Sequence, residues 1–84
     1  MEKIIIYTTK DCQFCKMAKA YFKGSGVSFT DKDIEDDPQA RAEMMSKSGQ
    51  FGVPVIDING RILVGFNLRL LSRVLGDNSL AINK

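Results

Sequence analysis

The chain holds two cysteines, Cys12 and Cys15, separated by Gln13 and Phe14. A C-x-x-C supports three chemistries: reversible dithiol–disulfide exchange, half of a zinc site, or a structural crosslink. A zinc site needs two further ligands, and the sequence has no histidine and no third cysteine. No metal is therefore expected. A crosslink between such near neighbours closes a tiny loop and stabilises little. Two inert buried thiols are the other alternative. Thr8, Thr9, Lys10 and Asp11 argue against it, because they direct Cys12 toward water. Exchange is the chemistry these arguments favour.

Exchange needs a thiolate, and the flanking elements can supply one. The apolar run Ile4-Ile5-Ile6-Tyr7 leads into the pair, and a segment of helical period leaves it. That puts the cysteines at a strand-to-helix junction. The first turn of a helix leaves N–H groups without intrahelical partners, and the peptide dipoles add partial positive charge there. Cys12, at or just before the first helical residue, should have a lowered pKa and attack. Cys15, about one turn further in and more buried, should resolve. At pH 7 a thiol of pKa about 8.5 is roughly 3% thiolate, and one of pKa about 5 gains about thirtyfold. A Brønsted slope of about 0.4–0.5 removes about the same factor from attack. The gain lies in release: Cys12 becomes a good leaving group when Cys15 displaces it. Lys10 adds a positive charge two residues upstream, and Asp11 opposes it.

The elements that must position this pair follow from periodicity and turn chemistry. Residues 3–8 read as a strand buried on both faces, because the apolar run is unbroken. Residues 13–23 read as a helix with Phe14, Met17, Ala18, Tyr21 and Phe22 inward, stopped by Gly24 and Gly26. Residues 27–34 read as an edge strand with Val27, Phe29 and Ile34 inward. Asp37 caps a second helix, Pro38 opens it, and it runs to about Lys47 before Gly49, with one of Met44 and Met45 inward. Residues 53–58 form a strand, Asn59-Gly60 a tight hairpin, and residues 61–65 the return strand. Asn67 caps a third helix carrying Leu68, Leu71 and Leu75, closed by Gly76. Residues 1–76 are expected to form one domain and residues 77–84 a flexible tail. A right-handed crossover makes the first two strands parallel. The fold class expected is α/β, a four-stranded mixed sheet in the order β-α-β-α-β-β-α with helices on both faces.

The composition adds limits. A net charge of +2 from 12 basic and 10 acidic residues gives no field that would favour nucleic acid or a membrane. The N-terminal apolar run falls well short of a signal sequence or a membrane span, so a cytoplasmic location is expected.

Three separated features, Cys12-Gln13-Phe14-Cys15, Gly52-Val53-Pro54-Val55 and Gly65-Phe66-Asn67, come in the order and spacing of a known family. On them the chain resembles the glutaredoxins of the thioredoxin superfamily, and in particular the short bacterial glutaredoxin-like redoxins. The resemblance spans residues 3 to about 76. It implies a thioredoxin-like fold, a cis Val53-Pro54 bond beside Cys12, and a strand-like docking of thiol peptides on Val53. It implies glutathione as reductant, contacted by Lys10, Phe14, Gln50, Val53, Pro54, Gly65, Phe66 and Asn67. Lys10 and Gln50 match positions for its glycine carboxylate, and Gly65-Phe66-Asn67 the position for its γ-glutamyl end. The expected substrates are protein disulfides or glutathione mixed disulfides, and the expected state is a monomer.

The sequence departs from the family pattern at three places. Gln13 and Phe14 replace the Pro and Tyr of many members, Val64 replaces the first of two glycines, and Asn67 replaces the acid that follows them. Redoxins that supply electrons to ribonucleotide reductase, and are recycled by thioredoxin reductase, also carry a Gln in the cysteine loop. They stand as the alternative. Two further alternatives are a dimer bridging a [2Fe–2S] centre through the first cysteine and glutathione, and a redox-inert interaction domain.

Overall fold

The computed structural model describes residues 3–74. Strand β1 (Ile4–Thr8) is followed by helix α1 (Gln13–Gly24), β2 (Thr30–Asp33), α2 (Pro38–Ser48), β3 (Val55–Ile58), β4 (Arg61–Val64) and α3 (Leu68–Val74). The sheet order is β2-β1-β3-β4. β1 runs parallel to β2 and antiparallel to β3, which pairs antiparallel with β4. The expected mixed sheet with helices on both faces is therefore present.

β1 is buried along its whole length, and its alternation divides the core. Ile4 and Ile6 join Ala18 and Phe22 of α1, Ile56 and Ile58 of β3, and Leu71 of α3. Ile5 and Tyr7 join Ile34, Val55, and Ala40 and Met44 of α2 on the other face. Met44 is the inward methionine; Met45 is exposed. Asp37 caps α2 by accepting the N–H groups of Gln39 and Ala40. The hairpin at Asn59 and Gly60 has φ of 53° and 95°. That pair of left-handed residues is what a two-residue turn needs, and Asn and Gly tolerate it.

Four expectations are corrected. The inward line of α1 is Cys15, Ala18 and Phe22, whereas Phe14 and Met17 are 58% and 44% exposed. Because Cys15 points into the core, residues one position before this line swing about 100° around the helix, toward solvent. β2 is short, because Val27 donates its N–H to Phe22 O at the end of α1 and the ladder with β1 begins only at Thr30. Val27 and Phe29 still pack on the α1 side, but Ile34 packs on the opposite face. β3 starts at Val55, since Pro54 has no N–H for a ladder. In α3 only Leu71 is buried among its described side chains. Leu68 is 52% exposed and lines an open groove with Tyr21, Arg69 and Ser72. Leu75, Gly76 and the tail expected at 77–84 lie outside the described residues.

Candidate active site

Cys12 is the N-cap of α1, with extended backbone at φ −94° and ψ 112°. Its Sγ accepts the Cys15 N–H at 3.1 Å. Cys12 and Cys15 are joined as a disulfide with Cα atoms 5.2 Å apart. In this oxidised form the Cys12 sulfur already sits where a thiolate would receive that N–H on reduction. No acidic residue occupies the first turn of α1 to oppose the helix end. Cys12 is half-buried, while Cys15 is fully buried. The half-buried residue has access to a substrate, and the fully buried one can meet only its neighbour.

The flanking strand and loops hold this junction. Thr8, the last residue of β1, donates through Oγ1 to Asp31 at 2.7 Å, and Lys19 of α1 pairs with the same carboxylate at 2.8 Å. Helix α1 is thereby tied to β2 as well as to β1. The Asp31 carboxyl is held below its usual range: burial pushes its pKa up, and the hydrogen bonds from Lys19 and Thr8 together outweigh that.

The other predicted residues fall into two groups. The Val53-Pro54 bond is cis, as the resemblance implied. The Gly65 N–H donates to Pro54 O at 2.7 Å, so the proline loop and the β4–α3 turn are stitched together. Gly65 turns at φ 87°, a conformation that favours glycine. Phe14 is exposed beside the cysteines in sequence. Three side chains matched to a tripeptide ligand are instead engaged internally. Lys10 Nζ lies 2.7 Å from Asp36 and 3.8 Å from Asp33. Gln50 accepts from the Gly52 N–H at 2.7 Å and donates to Gly52 O at 3.1 Å. Asn67 Oδ1 accepts the Leu70 N–H at 3.1 Å as a cap of α3. Phe66 packs against the core beside Tyr21, with ring centroids 6.3 Å apart.

Sequence reasoning missed the partners of Lys10. Parallel strands end at the same edge of a sheet. Lys10 follows β1, and Glu35 and Asp36 follow β2, so the register alone could have paired them. It also missed Arg41, whose guanidinium sits 4.8 Å from the Phe51 ring centroid; no local signal marks that contact.

The glutaredoxin family model matches residues 4–63, a stretch that holds both cysteines and the cis proline. The chain belongs to the glutaredoxin family. Among relatives, it is 44% identical over 72 residues to an uncharacterized glutaredoxin-like 8.6 kDa protein in the rubredoxin operon of Clostridium pasteurianum, covering 86% of this chain and 96% of that one. It is 37% identical over 65 residues to glutaredoxin 3 of Escherichia coli K12, covering 77% and 78%. Among solved structures, it is similar to the glutaredoxin-like protein NrdH-redoxin of Escherichia coli, with a TM-score of 0.74 and 28% identity over 86% of this chain and 93% of that one. The fold is thus thioredoxin-like and the glutaredoxin is a thiol–disulfide oxidoreductase with a C-x-x-C pair. Among the described residues no group of three or more metal-ligating side chains comes together, and no helix is long and apolar enough to cross a membrane.

Proposed function

We propose that this glutaredoxin reduces protein disulfides and glutathione mixed disulfides, with Cys12 attacking and Cys15 resolving. The Cys12 thiolate attacks one substrate sulfur, a Cys12–substrate bond forms, and the substrate disulfide breaks. The released thiolate takes up a proton. Cys15 then loses its proton and attacks Cys12 Sγ, the second substrate thiol leaves, and the Cys12–Cys15 disulfide remains. Two electrons have moved from the dithiol to the substrate. Glutathione, or a reductase, restores the dithiol. What supports this order is the asymmetry of the pair: Cys12 at the helix cap with its sulfur on a backbone N–H, and Cys15 fully buried. The working site on this reading comprises both cysteines with Lys10, Phe14, Gln50, Val53, Pro54, Gly65, Phe66 and Asn67 around the ligand. A monomer acting in a reducing cytoplasm suits a lone dithiol.

Cys12→Ser should abolish all turnover. Cys15→Ser should retain reduction of glutathione mixed disulfides, read as NADPH consumption with glutathione and its reductase. A Cys12→Ser variant that still turns over would refute the assignment.

A second reading is an electron donor recycled by thioredoxin reductase, ribonucleotide reductase being one such acceptor. Three observations favour it: Lys10, Gln50 and Asn67 are all occupied by partners within the chain. The structurally similar NrdH-redoxin of Escherichia coli has a thioredoxin-like activity profile, which points the same way. Offering the oxidised protein glutathione with its reductase in one tube, and thioredoxin reductase in another, decides between the donors.

A further inference from the structure

The cation nearest in sequence to the attacking cysteine is held by carboxylates of a different loop. Lys10 stands two residues before Cys12, so no more than about 7 Å of backbone separates them. Its Nζ contacts Asp36 at 2.7 Å and Asp33 at 3.8 Å, and its own N–H donates to Glu35 Oε1 at 3.3 Å. The loop that supplies these carboxylates is itself fixed. Asp33 Oδ1 accepts the N–H groups of Glu35 and Asp36 at 2.7 and 3.3 Å. This loop thus sets three carboxylates, from Asp33, Glu35 and Asp36, against Lys10. Arg41, which shares a cleft with Glu35, is stacked on Phe51.

We propose that Asp36 is a specificity-determining residue of the exchange reaction: by holding the Lys10 ammonium it withholds that charge from acidic substrates, so Cys12 favours neutral and basic disulfides. The proposal rests on the Cys12–Cys15 exchange above and sides with its second donor, since a tripeptide carboxylate on Lys10 would have to displace Asp36. Lys10 and Asp36 are 61% and 65% exposed, so their pairing adds little to stability. Its consequence is for encounter, where fixed charges near a reacting atom bias approach and salt screens them. Opposed unit charges about 10 Å apart in water change an encounter by about twofold at low salt. Several carboxylates against a doubly charged disulfide should therefore give several-fold discrimination.

The test measures the rate at which the reduced protein reacts with three small symmetric disulfides: cystamine, hydroxyethyl disulfide and dithiodipropionate. Each rate is divided by that of dithiothreitol with the same disulfide, which removes differences between leaving thiols. At low ionic strength the ratios should fall from the basic to the neutral to the acidic disulfide by about threefold per step, and converge at high salt. Asp36→Asn should raise the ratio for dithiodipropionate about threefold and leave hydroxyethyl disulfide unchanged. In a Lys10→Gln background the same substitution should give a clearly smaller gain, because no ammonium is released. Equal ratios for the three disulfides would overturn the proposal, as would a gain of the same size in both backgrounds. Failure to reduce even hydroxyethyl disulfide would instead defeat the exchange reading beneath it.

Discussion

The two faces of the sheet are held by different means. On the α1 and α3 side the contact is mainly apolar: Ile4, Ile6, Ala18, Phe22, Ile56, Ile58 and Leu71 form one cluster, and the Thr8–Asp31–Lys19 contacts lie at its rim. On the α2 side the helix buries only Ala40 and Met44. A polar chain supplies the rest. Lys32 donates to Glu43 at 3.0 Å, Tyr7 donates its hydroxyl to Glu43 at 2.6 Å, and Lys47 donates to both the Tyr7 oxygen and Asp57 at 2.7 Å. Apolar packing is tolerant of direction, whereas a hydrogen-bonded chain demands one register. The redox helix therefore sits by shape, and α2 sits by specific partners. Burial and hydrogen bonding oppose one another at Lys47: burial pushes its pKa down, but the contacts with Asp57 and Tyr7 carry it above the usual lysine value.

The contrast breaks most sharply at Phe22. Phe22→Ala removes a fully buried ring from the seat of α1 and should cost about 3–5 kcal/mol, read from urea unfolding. Loss of disulfide reduction should accompany it at temperatures where the variant starts to unfold. A cost below about 1 kcal/mol would show that α1 does not depend on this packing.

On the other face the same logic gives a smaller loss and a particular pattern. Asp57→Ala leaves the Lys47 ammonium, only 29% exposed, without its carboxylate, and should cost about 1–3 kcal/mol. Replacing both partners with apolar residues, Lys47→Met with Asp57→Leu, should recover the part of that loss due to the unpaired ammonium, while the Gly60 N–H still lacks its Asp57 acceptor. If the double replacement is as damaging as the single one, the chain contributes more than charge satisfaction. Tyr7→Phe removes one acceptor and one donor together and should cost about 1–1.5 kcal/mol.

These two faces also divide what was readable from the sequence. The order of elements, the Asp37 cap, the Asn59-Gly60 turn and the place of Cys12 at a helix start are local matters, settled by a few adjacent residues, and they are present as expected. The inward face of α1 was misassigned because Phe14 and Met17 are apolar and correctly spaced. What sets the face is Cys15, which reads as weakly hydrophobic but is fully buried. Tyr7 reads as one more apolar strand residue, and its hydroxyl partners lie 36 and 40 residues away. Lys10 reads as a solvated or ligand-binding lysine, and its partner lies 26 residues away. Contacts of that range depend on strand register, which hydrophobic period does not encode.

The smallest effect concerns pH, and its alkaline part separates the faces. Glu43 is held below the usual carboxylate range by the Tyr7 hydroxyl and then by Lys32. A carboxylate with a lowered pKa in the folded state adds stability that is complete above its unfolded value. That part is lost as pH falls through the folded value, so the acid limb begins below roughly pH 5. Asp31, lowered on the opposite face, contributes a limb of the same sign. Tyr7 is raised, chiefly by burial and then by its bond to Glu43, and Lys47 is raised as well. Raised groups give stability that is complete below their unfolded values and lost as pH climbs through the folded ones, above roughly pH 10. Only the α2 face should therefore have an alkaline limb from these groups. Urea midpoints measured against pH should show Tyr7→Phe flattening the alkaline side and Asp31→Asn flattening only the acid side. An alkaline limb untouched by Tyr7→Phe would remove the polar chain as the device that holds α2.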